Sequence, residues 1–565
     1  MKNKKRISCF WILAILTSLL FNDFAAAQDD INDFDDSFEI DQAVPRKSTR
    51  IRSGSQWLPS TYKDQAALIE KRVTASIKRK LDYRFETGAN VSSGSFAPFW
   101  FTSNRQGLSS IEKSSGYIRM STIGGMYLPS DFFVDYGMDV SLNANYQSDY
   151  FIRQLYVDLG YKWFDVSLGT KERWSELKNK DLSTGGLTWS GNSLPIPQLR
   201  IEIPDYVRLN WFGQWFSLKG HIAYGRFTDS DWRADMATKV SPDKPQYADR
   251  ILYHSKAAFL KIGDVSRFPL EVIWGLEMSS QFGGTKHNMA SNGVFYDNYD
   301  LPSGPGAYWE VLIPFNPIGK QGDENGNNLG SWHLSFDLTL DKWKARAYYE
   351  HFFEDHSSML GIEYKNNLQG DDKQFVFYGF RRNWMDGLFG LELTAPDGLP
   401  FKNIVLEFLN TKGQCGSICN FPNAAISEEV SGRDAMYNHS VYQSYQHWGY
   451  ACGNSVLISP VYNENGSLNF VSNRTMMFHL GIDGWITNKI DYRLLATHTS
   501  HWGTYESPLK EIDKISSIML ECNYWLGDAY SWKIGLAGAM DFDSGNIIGD
   551  NKGVMFTISK VWDVL

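Results

Sequence analysis

A stretch of fifteen residues, DFFVDYGMDVSLNAN from Asp131 to Asn145, constrains the fold more than any other part of the chain. Every second residue from Phe132 to Ala144 is apolar, and the positions between them are mostly polar or glycine. Side chains of a β-strand alternate between two faces, so the stretch predicts a strand with one apolar and one polar face. About 9–11 residues suffice for a tilted strand to cross a bilayer. The pattern therefore predicts a transmembrane strand.

The same alternation recurs from Tyr83 to the end of the chain. We therefore predict an all-β fold, a transmembrane antiparallel β-barrel of about 18 strands, an even number as in single-chain bacterial barrels. The predicted strands are 83–91, 116–128, 131–145, 150–160, 164–170, 206–211, 215–226, 251–262, 270–281, 332–340, 343–353, 387–394, 401–409, 475–486, 490–501, 516–526, 532–542 and 553–562.

The predicted connections alternate between short and long. Short ones include 129–130, 341–342 and 487–489, whereas 171–205 and 410–474 are long. Bacterial barrels have short periplasmic turns and longer external loops. We expect both termini in the periplasm and the long loops outside an outer membrane of a Gram-negative bacterium.

The N-terminal region divides into two predicted segments before the barrel at 83–565. Residues 1–27 have a basic start, an apolar run and small residues before Gln28, which is typical of a signal peptide. Residues 28–82 form a charged periplasmic segment, partly helical or disordered. Two interpretations of 28–82 stay open: a solvated segment, or a plug of the periplasmic mouth.

Charge and composition restrict the partners. The formal charge is −9, and removal of 1–27 takes away four bases and Asp23, which lowers it by three to −12. An acidic chain is not expected to bind nucleic acid. Aromatic residues make up 15% of the chain, which suits strands and membrane-interface girdles. We expect contact with outer-membrane lipid and a monomer.

The chain contains no Gly-rich phosphate loop, no GxSxG nucleophile motif and no HExxH zinc motif. His498 and His501 lie three apart on a predicted strand and would point to opposite faces. His351 and His356 lie beside Glu354 and Asp355, where solvated acids are the simpler interpretation. We expect no enzyme, no cofactor and no metal site. Cys415 and Cys419 predict a local disulfide in an oxidising compartment, whereas Cys452 and Cys522 are either paired or free.

Several stretches resemble the Wzi family of capsule-assembly proteins. They are ETGANVSSGSFAPFWFTSNRQGLSS (86–110), YVDLGYKWFDVSLGTKERW (156–174), LSTGGLTWSGNSLPIPQLRI (182–201), YYEHFFEDHSSM (348–359), DGLFGLEL (386–393) and ATHTSHWGTY (496–505). The resemblance implies a monomeric 18-stranded outer-membrane barrel with an N-terminal helical plug. It also implies a surface lectin that attaches capsular polysaccharide to the cell.

The first functional hypothesis is therefore a lectin that binds capsular or other surface polysaccharide through its external loops. Aromatic rings can stack on the apolar face of a sugar, and polar groups can bind its hydroxyls. The candidate glycan contacts are Trp100, Arg105, Trp174, Trp189, Tyr445, Trp448 and Tyr450 in predicted loops, with Glu350 and Asp355 at the barrel rim. The alternatives are a porin-like channel for small solutes or oligosaccharides and, less favoured, a glycan-modifying enzyme.

Overall fold

The strands of the protein close into a barrel. The computed structural model describes residues 78–128, 131–209, 214–291, 294–313, 326–354, 359, 362–366, 373–377, 384–414, 435–527, 531–545 and 547–563. The predicted segment 1–27, residues 28–77 of the predicted segment 28–82, the Cys415–Cys419 disulfide and Asp355 lie outside the described residues and stay predictions. Residues 78–82 belong to the first strand of the barrel.

The strands of this part of the chain are numbered in chain order. They are β1 (Lys78–Gly94), β2 (Ser114–Tyr127), β3 (Phe132–Ala144), β4 (Tyr150–Tyr161), β5 (Phe164–Thr170), β6 (Gln198–Arg208), β7 (Phe216–Arg226), β8 (Tyr247–Asp249), β9 (Leu252–Ile262), β10 (Leu270–Phe282), β11 (Thr285–Ser291), β12 (Val294–Asp300), β13 (Asn327–Leu340), β14 (Trp343–Glu354), β15 (Ile362–Asn366), β16 (Lys373–Phe377), β17 (Gly387–Thr394), β18 (Asn403–Asn410), β19 (Asn438–His439), β20 (Gln443–Ser444), β21 (Gln446–His447), β22 (Tyr450–Ala451), β23 (Thr475–Thr487), β24 (Ile490–Gly503), β25 (Pro508–Leu526), β26 (Trp532–Asp543) and β27 (Asn551–Asp563).

Eighteen of these strands form one antiparallel sheet. Each barrel strand pairs with the next barrel strand along the chain, and β1 pairs with β27, from Asp82 opposite Asp563 to Gly94 opposite Asn551. This last pairing closes the sheet and removes its edges, as a barrel in lipid requires. The predicted fold class is confirmed, and each predicted strand corresponds to one strand of the barrel.

The remaining strands and the helices lie in the connections. Strands β8, β11 and β12 form a small three-stranded sheet, and β15–β16, β19–β20 and β21–β22 form separate pairs. The helices are α1 (Phe99–Thr102), α2 (Ser230–Val240) and α3 (Pro305–Leu312), with a 3₁₀ turn at Pro460–Tyr462. Among the described residues, no helix is long and apolar enough to cross a membrane.

The two faces of β3 follow the predicted alternation. Phe132, Tyr136 and Leu142 are exposed on the outer face, whereas Asp139 and Ser141 are buried inside. The outer face of the barrel also carries exposed aromatic residues near both ends of its strands. Those at the ends with short turns are Tyr161, Trp343, Tyr524, Trp532 and Trp562, and those at the other end include Tyr150, Phe478 and Phe542. Two aromatic girdles around an apolar band are typical of transmembrane barrels.

Strand β6 is the largest difference from the predicted strand boundaries. It was expected at 206–211 and lies at Gln198–Arg208. Leu199 and Ile201 are exposed on the outer face. The charged residues that alternate with them, Arg200 and Glu202, point inward. Arg200 Nε donates to Glu202 Oε2 at 2.7 Å. The strand was not predicted at these residues because the sequence does not show that the two charged side chains pair with each other.

The inward–outward assignment predicts how the barrel responds to charge. Leu155 is 52% exposed halfway along β4, and Val240, at the end of α2 outside the barrel, is 61% exposed. Leu155→Arg is expected to make folding into lipid vesicles less favourable by about 2–4 kcal/mol, because an arginine would face the bilayer interior. Val240→Arg, the control, is expected to change it by less than about 0.5 kcal/mol. Equal effects in a urea titration would contradict the assignment.

Candidate functional site

Three connections turn into the barrel and fill it. We call residues 95–113 the first loop, residues 171–197 the inner loop and residues 435–474 the cap. The inner loop leaves the wall between β5 and β6 and reaches β14, β18 and β23 on the opposite side. Leu182 and Leu187 of the inner loop and Tyr437 and Tyr445 of the cap are fully buried in one hydrophobic cluster. These segments therefore form the packed interior of the described barrel.

Glu407 on β18 anchors the inner loop to the wall. Its Oε1 accepts hydrogen bonds from Ser183 Oγ at 2.5 Å and from Tyr348 Oη at 2.6 Å. Its Oε2 accepts from the backbone N–H and the hydroxyl of Thr184, at 2.8 and 2.7 Å. Tyr348 reaches this carboxylate across Gly390, where an added Cβ would lie 2.0 Å from the Tyr348 ring. Four donors to one buried carboxylate offset its loss of hydration.

Glu350 on β14 is the second anchor. Lys178 of the inner loop places its Nζ 2.5 Å from Glu350 Oε2, and both side chains are buried. Glu350 Oε1 accepts from the backbone N–H of Leu187 at 2.7 Å. Glu350 was expected at the rim as a sugar ligand. That placement is wrong, because Glu350 is fully buried and each of its oxygens already binds a donor of the inner loop.

The cap lies directly on the inner loop. Tyr437 donates from its hydroxyl to the carbonyl of Leu187, and its backbone N–H donates to Glu354 Oε1 at 2.7 Å. Tyr445 Oη donates to the carbonyl of Thr188 at 3.0 Å. Burial raises the pKa of both tyrosines, so both stay protonated and can donate. The cap and the inner loop thus form one hydrogen-bonded body.

Charged residues on β2, β3 and β4 form another buried network with the inner loop. Arg119 pairs with Asp139 and lies 3.0 Å from Glu172 Oε1. Arg153 binds the same Glu172 oxygen at 2.6 Å. The two arginines and two acids balance in charge, which is what a buried ionic group needs. This network ties the beginning of the inner loop to the wall that it leaves.

Several of the predicted glycan contacts are interior residues. Trp100 in α1, Tyr445 and Tyr450 are buried, so no ring face among them is open to a sugar. They were expected in external loops because such loops have the same mixture of aromatic and polar residues as the packed interior of this barrel. The Trp100 ring centroid lies 5.3 Å from that of His479 on β23, which is core packing.

The half-buried candidates lie in different places. Arg105 donates to the carbonyl of Leu108 at 3.2 Å and contacts the sulfur of Met555. The Trp174 ring packs on Gly191 and lines a cavity of about 10 Å³, the space of one water. Trp189 Nε1 donates to the carbonyl of Arg173 at 3.3 Å. These three do not form one binding surface with the cap.

Trp448 is the candidate that the structure places most favourably for a ligand. It is partly exposed in the cap, and its backbone has φ of 54°, the left-handed region that bulky residues rarely adopt. Its backbone N–H donates to Asp229 Oδ2 at 3.3 Å. The ring lies 5.3 Å from Phe151 in an edge-to-face contact. Such strain persists only where the surroundings impose it.

The neighbours of Trp448 fix the edge of its ring. Trp448 Nε1 donates to Thr228 Oγ1 at 3.2 Å, and Thr228 is exposed. The backbone N–H of Thr228 donates to His447 Nε2 at 3.1 Å, so this nitrogen carries no proton and Nδ1 donates to the carbonyl of Leu194. Burial lowers the pKa of His447, which keeps it in this neutral form. Thr228 was missed in the sequence because nothing marks it as a neighbour of a residue 220 positions away.

A buried ion pair between Asp229 and Arg233 fixes the part of the cap that contains Trp448. Arg233 Nε lies 3.0 Å from Asp229 Oδ2, and both side chains are fully buried. Arg233 also donates to the carbonyls of Tyr442 and Gln446, at 3.1 and 3.2 Å. Arg233 thereby joins α2 to two points, Tyr442 and Gln446, of the segment that leads to Trp448. An aromatic ring held this firmly loses little conformational entropy when a ligand stacks on it.

The remaining chemical candidates of the sequence fall on separate faces. His498 is exposed on the outer face and His501 is buried inside, as predicted from their spacing. His351 Nδ1 donates to the carbonyl of Asp386, whereas Glu354 accepts from the backbone of the cap. Cys452 and Cys522 are both free. Burial raises the pKa of the Cys452 thiol, so it is not a reactive thiolate.

A cavity of about 960 Å³ lies on the outside of the barrel. Most of its lining residues are apolar and point outward, and they include an aromatic row across neighbouring strands: Tyr349, Phe389, Phe408 and Phe478. It belongs to the apolar band of the barrel and not to the cap.

Comparison with known proteins supports the fold. No family model and no curated protein matches the chain. The structure is similar to Wzi of Escherichia coli, an outer-membrane protein involved in group 1 capsule assembly that is described as a carbohydrate-binding β-barrel, with a TM-score of 0.50, 12% identity, and coverage of 84% of this chain and 83% of that chain. It is also similar to OccK5 (OpdH) of Pseudomonas aeruginosa, with a TM-score of 0.42, 8% identity, and coverage of 86% and 99%. At 12% identity the likeness to Wzi establishes the barrel fold alone.

The anchoring role of Glu407 predicts the effect of a single substitution. Glu407→Gln replaces one accepting oxygen by an NH₂ group that faces two donors, which costs about 1–3 kcal/mol. We expect the wild type to show no steady conductance in planar bilayers and Glu407→Gln to show openings as the inner loop loosens. Glu511→Gln, an exposed site on β25, is the control. A closed Glu407→Gln barrel with unchanged heat-modifiability would remove Glu407 from this role.

Proposed function

We propose that this protein is an outer-membrane lectin of the Wzi type that binds and attaches capsular or other surface polysaccharide. The observation that carries the proposal is Trp448, a partly exposed indole held in a strained backbone conformation by Asp229, Thr228 and Phe151. A rigid aromatic face beside an exposed hydroxyl suits a sugar ring, which has an apolar face and hydroxyls at its edge.

The filled interior supports a binding protein over a porin-like channel. Solute passage needs a continuous path. The inner loop occupies the described lumen through buried hydrogen bonds to Glu350 and Glu407, and the cap is bonded to the inner loop. The same arrangement gives the cap a fixed base, which lowers the entropy cost of binding. We propose that the protein acts as a monomer, without catalysis, with the cap on the outer side of the membrane.

The ligand contact is testable at Trp448. Trp448→Ala is expected to weaken binding of the purified protein to its polysaccharide by about tenfold, which corresponds to about 1.4 kcal/mol of lost stacking. Binding to a glycan array and retention of polysaccharide on cells are the measurements. The control is Trp309→Ala, since Trp309 is 63% exposed on α3 outside the barrel.

Two outcomes would contradict the proposal. One is unchanged binding by a folded, heat-modifiable Trp448→Ala protein. The other is turnover of an oligosaccharide by the wild type, which would favour an enzyme.

A further inference from the structure

Three buried side chains with metal-binding atoms meet on the inner wall of the barrel. They are Glu277 on β10, His333 on β13 and Glu350 on β14, the one such group among the described residues. Their exposures are 7%, 2% and 0%. His333 lies directly opposite Glu350 in the strand register. Glu277 is displaced by one inward position from Gly275, the residue opposite His333. The register of three strands therefore brings the group together.

One nitrogen in this group, His333 Nε2, is buried without a hydrogen-bond partner. His333 Nε2 lies 3.6 Å from Glu277 Oε2 and 3.9 Å from Glu350 Oε1, which is too far for hydrogen bonds. In the part of the chain that the structure describes, His333 Nε2 has no other partner, and the two carboxylate oxygens are the acceptors that lie nearest to it. Buried polar groups are almost always bonded. An imidazole nitrogen and carboxylate oxygens that face each other across a small gap point to a missing central atom.

The spacing and the charges suit a divalent cation. Ligands of a tetrahedral zinc ion with bonds of about 2.1 Å are roughly 3.4 Å apart, close to the observed separations. Lys178 neutralises one of the two carboxylates through Glu350 Oε2, which leaves one negative charge uncompensated and Glu350 Oε1 facing His333. An imidazole ligand favours a first-row transition metal over Ca²⁺ or Mg²⁺, which prefer oxygen ligands.

We propose that Glu277, His333 and Glu350 bind one Zn²⁺ or a similar transition-metal ion, with water completing the coordination. The ion would join β10, β13 and β14. It would also stabilise the inner loop, because Glu350 holds Lys178 and the backbone N–H of Leu187. Nothing in the sequence predicts this site, since the three residues are spread over more than seventy positions. The inference does not depend on the lectin proposal.

Metal content after refolding tests the site, because buried ligands load most readily while the barrel forms. The full chain is refolded from urea into detergent with Zn²⁺, washed with EDTA and analysed by mass spectrometry of the metal. We expect about one zinc per chain in the wild type and near zero in Glu277→Gln and His333→Ala. His254→Gln is the matched control, since His254 on β9 is also buried with an unpartnered Nε2 but is not part of the group. It is expected to keep about one zinc.

A wild type without zinc would overturn the proposal, as would equal zinc in His333→Ala and His254→Gln. X-ray absorption of zinc in the wild type needs no variant and covers the case in which a variant fails to fold. It is expected to detect nitrogen and oxygen ligands with an imidazole. Sulfur ligands from Cys452 or Cys522 would contradict the assignment.

Discussion

The pairing of β1 with β27 is the interaction on which the rest of the structure depends. In lipid, backbone N–H and C=O groups have no water to bond, so a sheet must close on itself. Closure from Asp82 opposite Asp563 to Gly94 opposite Asn551 gives every barrel strand two neighbours. It also separates the side chains into an outer apolar face and an inner face that collects the charges. Everything inside the barrel then has to satisfy those charges without free access to water.

The inner loop and cap satisfy many of these charges. Glu350 and Glu407 are buried carboxylates, and such groups are costly unless several donors reach them. The donors come from Lys178, Ser183, Thr184 and the backbone of the inner loop. The buried carboxylates of the barrel wall therefore depend on donors from the inner loop, and the position of the inner loop depends on these carboxylates. This mutual dependence converts long, glycine-containing connections into an ordered interior, and the order extends to Trp448 in the cap.

The barrel could be predicted from the sequence because its signal is local. A period of two decides which face each residue of β3 occupies, and it correctly separated His498 from His501. The interior could not be predicted, because its contacts join distant positions such as Thr184 and Glu407. Trp100 and Tyr445 have the residue types of an exposed sugar-binding loop, and only their long-range packing makes them core. A glutamate among apolar residues in strand β18 (NIVLEFLN) was the one available signal, since an inward carboxylate there needs a partner.

The most direct test of this account is a cross-link between the inner loop and the wall. Thr188 Oγ1 and Ser331 Oγ on β13 lie 2.6 Å apart, close enough for a disulfide between cysteines at these positions. In a background without other cysteines, Thr188→Cys combined with Ser331→Cys is expected to oxidise rapidly in the folded protein, with a shifted mobility on a non-reducing gel that reductant reverses. Two thiols that remain free and accessible to a water-soluble maleimide would contradict an inner loop packed against the barrel wall.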